Sequence, residues 1–195
     1  MAWLTRAQLR KLDFASLGQD VRISDRCALH GTERMRLGDH VRIDDWTVLT
    51  ADEELCIGSH VHLGAQVFVS GARGVEIGDF SGLSPGVAVF SASDDFSGVA
   101  LTGPTIPDEF RRVDGGRVIV GRHCIVGARS ILLPGVRLGD GAAVGCLSLV
   151  TRDLRGWAIY AGIPARRIKA RSKAMLRLEA KLAARSSRRD RVRSR

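Results

Sequence analysis

Apolar residues recur at every sixth position along most of this chain. Leu17, Ile23 and Leu29 form one set of three, and Leu37, Ile43 and Leu49, then Ile57, Leu63 and Val69, then Ile77, Leu83 and Val89 repeat it at a spacing of twenty residues. After an interruption the pattern resumes at Val120, Val126 and Leu132, then Leu138, Val144 and Val150, now eighteen residues apart. A six-residue step would place successive apolar groups about 240° apart on an α-helix, so no helical stripe explains it. A coil of three short strands joined by turns does. Each hexad is one flat side, a large residue fills the interior, and a small residue accommodates the corner. Val120, Cys124, Val126, Ser130, Leu132, Val136, Leu138, Ala142, Val144 and Ser148 are then the inward positions of the later coils. A single coil cannot bury its inner face, so the coils must stack by parallel strand pairing into a triangular prism about six coils long.

Two stretches break the period. Residues 91–117 are too long and too interrupted by Gly and Pro for another coil, and are expected to form an excursion loop. From Ala170 to Ala184, Ala174, Leu176, Leu178 and Leu182 recur among Lys, Arg and Glu, which predicts a C-terminal helix, followed by a disordered tail from Arg185 to Arg195. The organisation predicted is one repeat domain over 1–169 with a helix and basic tail over 170–195. Function is expected to concentrate in the loop and at the C-terminal end.

Composition sharpens this picture at three points. Only 5% of residues are aromatic, while the chain holds 22 glycines, which suits short strands and tight corners. The charge is uneven: from Arg166 to Arg195 there are 13 Lys or Arg against Glu179 and Asp190, a net +11, so the whole-chain +9 leaves about −2 on the body. That run has no interleaved aromatics or recognisable binding module, so it is read as a solvated tail and not as a nucleic-acid or membrane surface. Cys27, Cys56, Cys124 and Cys146 show no C-x-x-C spacing, which argues against a zinc knuckle or disulfide framework. No stretch has the length and apolarity of a membrane span, and no leader pattern opens the chain, so a cytoplasmic protein without stable membrane insertion is expected.

The hexads, the LLPGV segment from Leu132 to Val136, and the closing VTRDLRGWAIYAGIPARRIK from Val150 to Lys169 resemble the hexapeptide-repeat acyltransferases. The likeness is nearest to their galactoside, maltose and polysaccharide acetyltransferase branch and covers roughly Leu17 to Lys169. It implies an all-β fold, a left-handed parallel β-helix with an excursion loop and a short C-terminal helix. The left hand comes from the resemblance alone, since parallel crossovers are usually right-handed. The resemblance further implies an acetyl-CoA-dependent acyltransferase acting on a hydroxyl or amino group of a carbohydrate or nucleotide-linked sugar in surface polysaccharide synthesis. It implies a homotrimer whose sites lie between subunits.

Family members that acetylate sugar hydroxyls carry a catalytic His at the start of the loop, after the motif that here reads LSPGVAVFSAS. In this chain that position holds Asp94, followed by Asp95. A hydroxyl needs a base to become a nucleophile, whereas a neutral amine attacks a thioester with less help, so the departure bears on the acceptor. Asp94 is the first candidate for the base or for orienting an amine; Asp95 and His123 stand behind it. His123 occupies the fourth place of a hexad, a corner or outward position. On the CoA side the resemblance points to the Ala128 backbone N–H as an oxyanion donor, to Cys146, Thr151 and Arg152 along the pantetheine and adenosine, and to Arg166, Arg167 and Lys169 as phosphate partners.

Two rivals belong to other classes. A zinc enzyme of the carbonic anhydrase type on the same fold would use His ligands; His40 and His60 fall one coil apart on one corner, above Asp20 and below Phe80, with His62 close by. Corner residues stacked this way point in parallel instead of converging, so surface stacking is expected and no metal. A non-catalytic scaffold is the second rival, against which stand the loop and the CoA-type C-terminal segment.

Overall fold

In a computed structural model, residues 2–193 are described, with side-chain surroundings through residue 185. The chain winds into a triangular prism with three parallel sheets. The first face carries the strands Ser16–Leu17, Met35–Leu37, Leu55–Ile57, Val75–Ile77, Val118–Val120 and Arg137–Leu138. The second carries Arg22–Ile23, Arg42–Ile43, His62–Leu63, Gly82–Leu83, Ile125–Val126 and Ala143–Val144, extended by Ala158–Ala161 and Arg166–Ala170. The third carries Ala28–His30, Val48–Thr50, Phe68–Ser70, Ala88–Phe90, Ile131–Leu132 and Leu149–Val150. Register follows the repeat, with Leu37 beside Ile57, Ile57 beside Ile77, and Ile77 beside Val120.

The inward positions read from the period form the core. Ile23, Ile43, Leu49, Leu63, Val69, Val89, Val126, Leu132 and Leu138 have no exposed surface, and Ser130 and Ser148 are buried beside them. Each buried Leu or Ile contributes about 1.5–3 kcal/mol relative to remaining exposed, so the stacked coils supply the stability that one coil lacks. Leu17 and Leu29 are only half-buried in the first coil, which has a coil on one side alone, while Ile23 of that coil is covered by the N-terminal segment, whose Leu4 N–H donates to the Ile23 carbonyl. A short helix, α1 (Arg6–Lys11), seated by a Thr5–Gln8 capping box, lays the buried Leu9 against that end.

Corners explain the change of period. The first two corners turn through residues with φ near +60°, including His40, His60, Phe80 and His123 on one and Trp46, Gln66 and Arg129 on the other. The third corner absorbs the length differences. There the inward step is eight residues in the twenty-residue coils, from Leu49 to Ile57 and from Val69 to Ile77, against six from Leu132 to Leu138, and the excursion loop departs from the same corner after Phe90.

Inside the loop, Ala92–Asp94 pairs antiparallel with Val113–Gly115, so its base is a hairpin and not irregular chain. The C-terminal helix differs from expectation. Ala170 ends a strand that pairs antiparallel with Ala158–Ala161, and the helix α2 begins later and runs longer, over Met175–Arg193. It passes through most of the segment expected to be disordered; Ser194 and Arg195 lie outside the described residues.

Candidate active site

The three corners of the prism separate the candidate residues. Asp94 and Asp95 stand at the third corner, where the hairpin leaves the third face. Ala128 and Cys146 stack on the second corner, one coil apart, with the Leu147 N–H donating to the Ala128 carbonyl at 2.9 Å. His123 stands on the first corner. Thr151 and Arg152 follow the last strand of the third face, and Arg166, Arg167 and Lys169 lie on the terminal strand of the second face.

Asp94 has both oxygens engaged but remains accessible, with 33% of its side chain exposed. Oδ2 accepts the Gly103 N–H at 3.2 Å, and Oδ1 faces Arg111 Nη2 at 3.4 Å. Asp95 is differently placed. Its carboxylate accepts the Ser97 hydroxyl and the N–H groups of Gly98 and Val99, a turn that organises the loop. Those hydrogen bonds, Ser97's first, hold its carboxyl below the usual carboxylate range. Asp95 thus has its carboxylate engaged within its own turn, whereas a third of the Asp94 side chain stays open.

His123 does occupy a corner, but it is not outward in the sense expected. The imidazole is 7% exposed, packed between the Phe80 ring at 5.2 Å and the Trp157 ring at 6.2 Å, with Nε2 at 2.9 Å from Glu179 Oε2. It belongs to a ladder of rings along the first corner: His40 on His60 at 4.6 Å, His60 on Phe80 at 4.7 Å, then His123, with the tilted Trp157 ring beyond it. Polar residues one place earlier tie the same corner together, the Asp79 carboxylate accepting the Ser59 N–H and Asp140 that of Arg122. The fifth place is Gly141, at φ +70°, because a Cβ there would lie 2.6 Å from the Trp157 ring. The imidazoles of His40 and His60 stack with planes 19° apart and do not converge, and His62 turns its Nε2 to Asp44 at 2.8 Å on the second face. No group of three or more His, Cys, Asp or Glu among the described residues is arranged to hold a metal ion.

The CoA candidates are all surface groups except Ala128, which is partly covered. Cys146, Thr151, Arg152, Arg166, Arg167 and Lys169 are exposed, and none of the cations forms an ion pair among the described residues. The Ala128 N–H has no acceptor among the described residues.

Comparison with known proteins follows this geometry closely. A family described as the hexapeptide repeat of succinyl-transferase matches residues 117–146. An Escherichia coli dTDP-4-amino-4,6-dideoxy-D-glucose acyltransferase is 37% identical over 180 residues, covering 92% of this chain and 94% of its own. The chain belongs to the hexapeptide-repeat acyltransferases. Crystal structures of AntD, an N-acyltransferase from Bacillus cereus, superpose on this acyltransferase over nearly its whole length. One, with dTDP and 3-hydroxybutyryl-CoA, has a TM-score of 0.92 and 39% identity, covering 95% of this chain and 98% of that one. Another, with dTDP-4-amino-4,6-dideoxyglucose and coenzyme A, has a TM-score of 0.90, 39% identity and coverage of 93% and 97%. The prism is therefore the left-handed parallel β-helix of this family, and in those structures AntD holds coenzyme A or its 3-hydroxybutyryl thioester.

Sequence reasoning did not single out Arg111, the Gly103 amide or Glu179 as partners of site residues. Glu179 carried a readable signal, being the one acidic side chain between Arg166 and Arg189. Arg111 and Gly103 carried none, because a loop has no period.

Proposed function

We propose that this acyltransferase transfers a short acyl group from CoA to the amino group of a nucleotide-linked amino sugar, forming an amide, as a step in surface polysaccharide synthesis. The observation that supports this most is Asp94: a partly exposed carboxylate occupies the loop position where the hydroxyl-acylating branch has its His, in a chain that matches amino-sugar acyltransferases from end to end.

The chemistry follows from the acceptor. A neutral amine has the lone pair that a sugar hydroxyl must be deprotonated to offer, so an orienting carboxylate suffices where an alcohol needs imidazole. The amine nitrogen attacks the thioester carbonyl, a C–N bond forms, and charge develops on the carbonyl oxygen, which the Ala128 N–H would stabilise. The nitrogen gives a proton to Asp94, the C–S bond breaks, and the departing thiolate takes a proton from solvent to become the CoA thiol, while Asp94 returns its own to solvent. Arg166, Arg167 and Lys169 suit the phosphates of CoA, as guanidinium and ammonium groups do. Asp94 and Ala128 stand on different corners of one prism, so the reading includes a homotrimer in which the loop of one subunit meets the corner of the next. It places the reaction in the cytoplasm.

The test is a thiol-release assay with acetyl-CoA and 3-hydroxybutyryl-CoA against dTDP-4-amino-4,6-dideoxyglucose and against sugars offering only hydroxyls. Turnover is expected with the amine alone, falling about 10²- to 10⁴-fold in Asp94→Asn, a variant that keeps the shape but not the proton acceptor. His123→Gln is expected to retain kcat. Turnover with hydroxyl acceptors alone, or an Asp94→Asn variant as active as the parent, refutes the proposal.

A further inference from the structure

Arg111 sits beneath Asp94 in a way that loop stability alone does not explain. Its side chain is only 17% exposed, enclosed where the segment after the Asp108–Phe110 turn packs back on Leu101, with the Leu101 N–H donating to the Phe110 carbonyl at 2.9 Å. Its three nitrogens fare unequally. Nη2 faces Asp94 Oδ1 at 3.4 Å; Nη1 faces Asp108 Oδ1 at 3.3 Å, on a side chain that is 98% exposed; and Nε is buried without any hydrogen-bond partner.

An unpartnered buried nitrogen costs free energy, and an ion pair with a fully exposed carboxylate returns little. An apolar side chain of similar length would fill the same space without that penalty. Of its two ion pairs, the one to Asp94 is the one with a partly enclosed carboxylate. The other oxygen of Asp94 is held by a backbone amide, Gly103 N–H, so the carboxylate is fixed at both ends of its plane while a third of the side chain stays open. Asp95, next in the chain, is turned away into its own turn with Ser97 and cannot take over the guanidinium.

We infer that Arg111 is the positioning residue of the acyl transfer, holding the Asp94 carboxylate in one orientation toward the acceptor nitrogen. This rests on the reading of Asp94 as the group that faces the acceptor. Preorganisation of this kind acts on the chemical step, because a carboxylate free to rotate spends most of its time out of line with the attacking nitrogen. The Nη2 contact at 3.4 Å is loose, and such contacts tighten once substrate is bound.

The experiment compares Arg111→Ala, Arg111→Lys, Asp94→Ala and the double variant Arg111→Ala/Asp94→Ala in the full chain, with steady-state kinetics for acyl-CoA and amino-sugar acceptor and added guanidinium chloride at non-denaturing concentration. Arg111→Ala is expected to lower kcat about tenfold to a hundredfold with the KM for acyl-CoA unchanged. Guanidinium is expected to restore at least part of that loss in Arg111→Ala and none in Asp94→Ala. Arg111→Lys, which keeps the charge but not the fork, is expected to fall between. The double variant is expected to be no slower than Asp94→Ala. A folded Arg111→Ala with parental kcat, a loss without rescue, or losses that multiply in the double variant overturns the inference. Parental activity in Asp94→Ala instead overturns the reading beneath it, and the two failures are distinct.

Discussion

His123 and Glu179 are joined by a 2.9 Å hydrogen bond across 56 residues of sequence, and this contact fastens the C-terminal helix to the ring-stacked corner of the prism. Arg122 donates to the other oxygen of the same carboxylate at 2.6 Å, and Arg171 Nη1 donates to the His123 carbonyl at 2.7 Å. Lys173 lies 5.4 Å over the Trp157 ring, completing the attachment.

Removing Glu179 therefore strands a buried imidazole. Glu179→Ala is expected to destabilise the protein by about 1–3 kcal/mol, the cost of a buried polar group losing its partner. For a chain of this length that lowers the melting temperature by roughly 2–4 °C per kcal/mol. Calorimetry checks it, and an unchanged melting temperature means that α2 does not lean on this contact. Turnover at a temperature well below melting is expected to stay near parental, since the pair stands on the first corner, apart from both Asp94 on the third and Ala128 on the second.

The four cysteines are expected to separate by reactivity. Burial pushes the Cys27 and Cys124 thiols up to about 11, and burial raises that of Cys56 as well, so all three hold little thiolate near neutral pH. Cys146 is exposed on the corner below Ala128. A disulfide reagent such as DTNB is expected to modify Cys146 first, with CoA slowing the reaction. Equal rates with and without saturating CoA place the pantetheine elsewhere.

Acid is expected to weaken the ring ladder. Burial and the neighbouring His40 lower the pKa of His60 below its ordinary 6.5, against a smaller opposing pull from Asp79 and Asp39. The unfolded chain then takes up a proton at a pH where the folded one does not, so stability falls as pH drops through about 6.5 and levels off once folded His60 is itself protonated. His60→Phe, which keeps the stack, is expected to show a flatter melting temperature between pH 7 and pH 5. Parallel slopes for parent and variant exclude His60 as the source.

What the chain determined by itself was everything that repeats. A six-residue step of Leu, Ile and Val can be satisfied only by stacking coils, so strand order, register and the inward set from Val120 to Ser148 were readable before any coordinates. The column of Asp20, His40, His60 and Phe80 was readable for the same reason, because a twenty-residue coil brings every twentieth residue to one corner. Asp94 was visible as a departure from a resemblance, and the terminal Arg and Lys as part of one.

Tertiary structure decided whatever lacks a period or depends on what covers it. His123 was assigned to a corner, but only Phe80, Trp157 and a helix that returns from 56 residues away make that corner buried. The helix itself begins after Ala170 because that residue is held in a strand against Ala158, a pairing that local propensity does not contain. Asp94 and Asp95 are chemically identical and adjacent, yet one faces Arg111 and Gly103 while the other closes a turn on Ser97. The strand ends at Asp94, Asp95 begins the turn, and which carboxylate meets the guanidinium is settled by the fold of the whole loop.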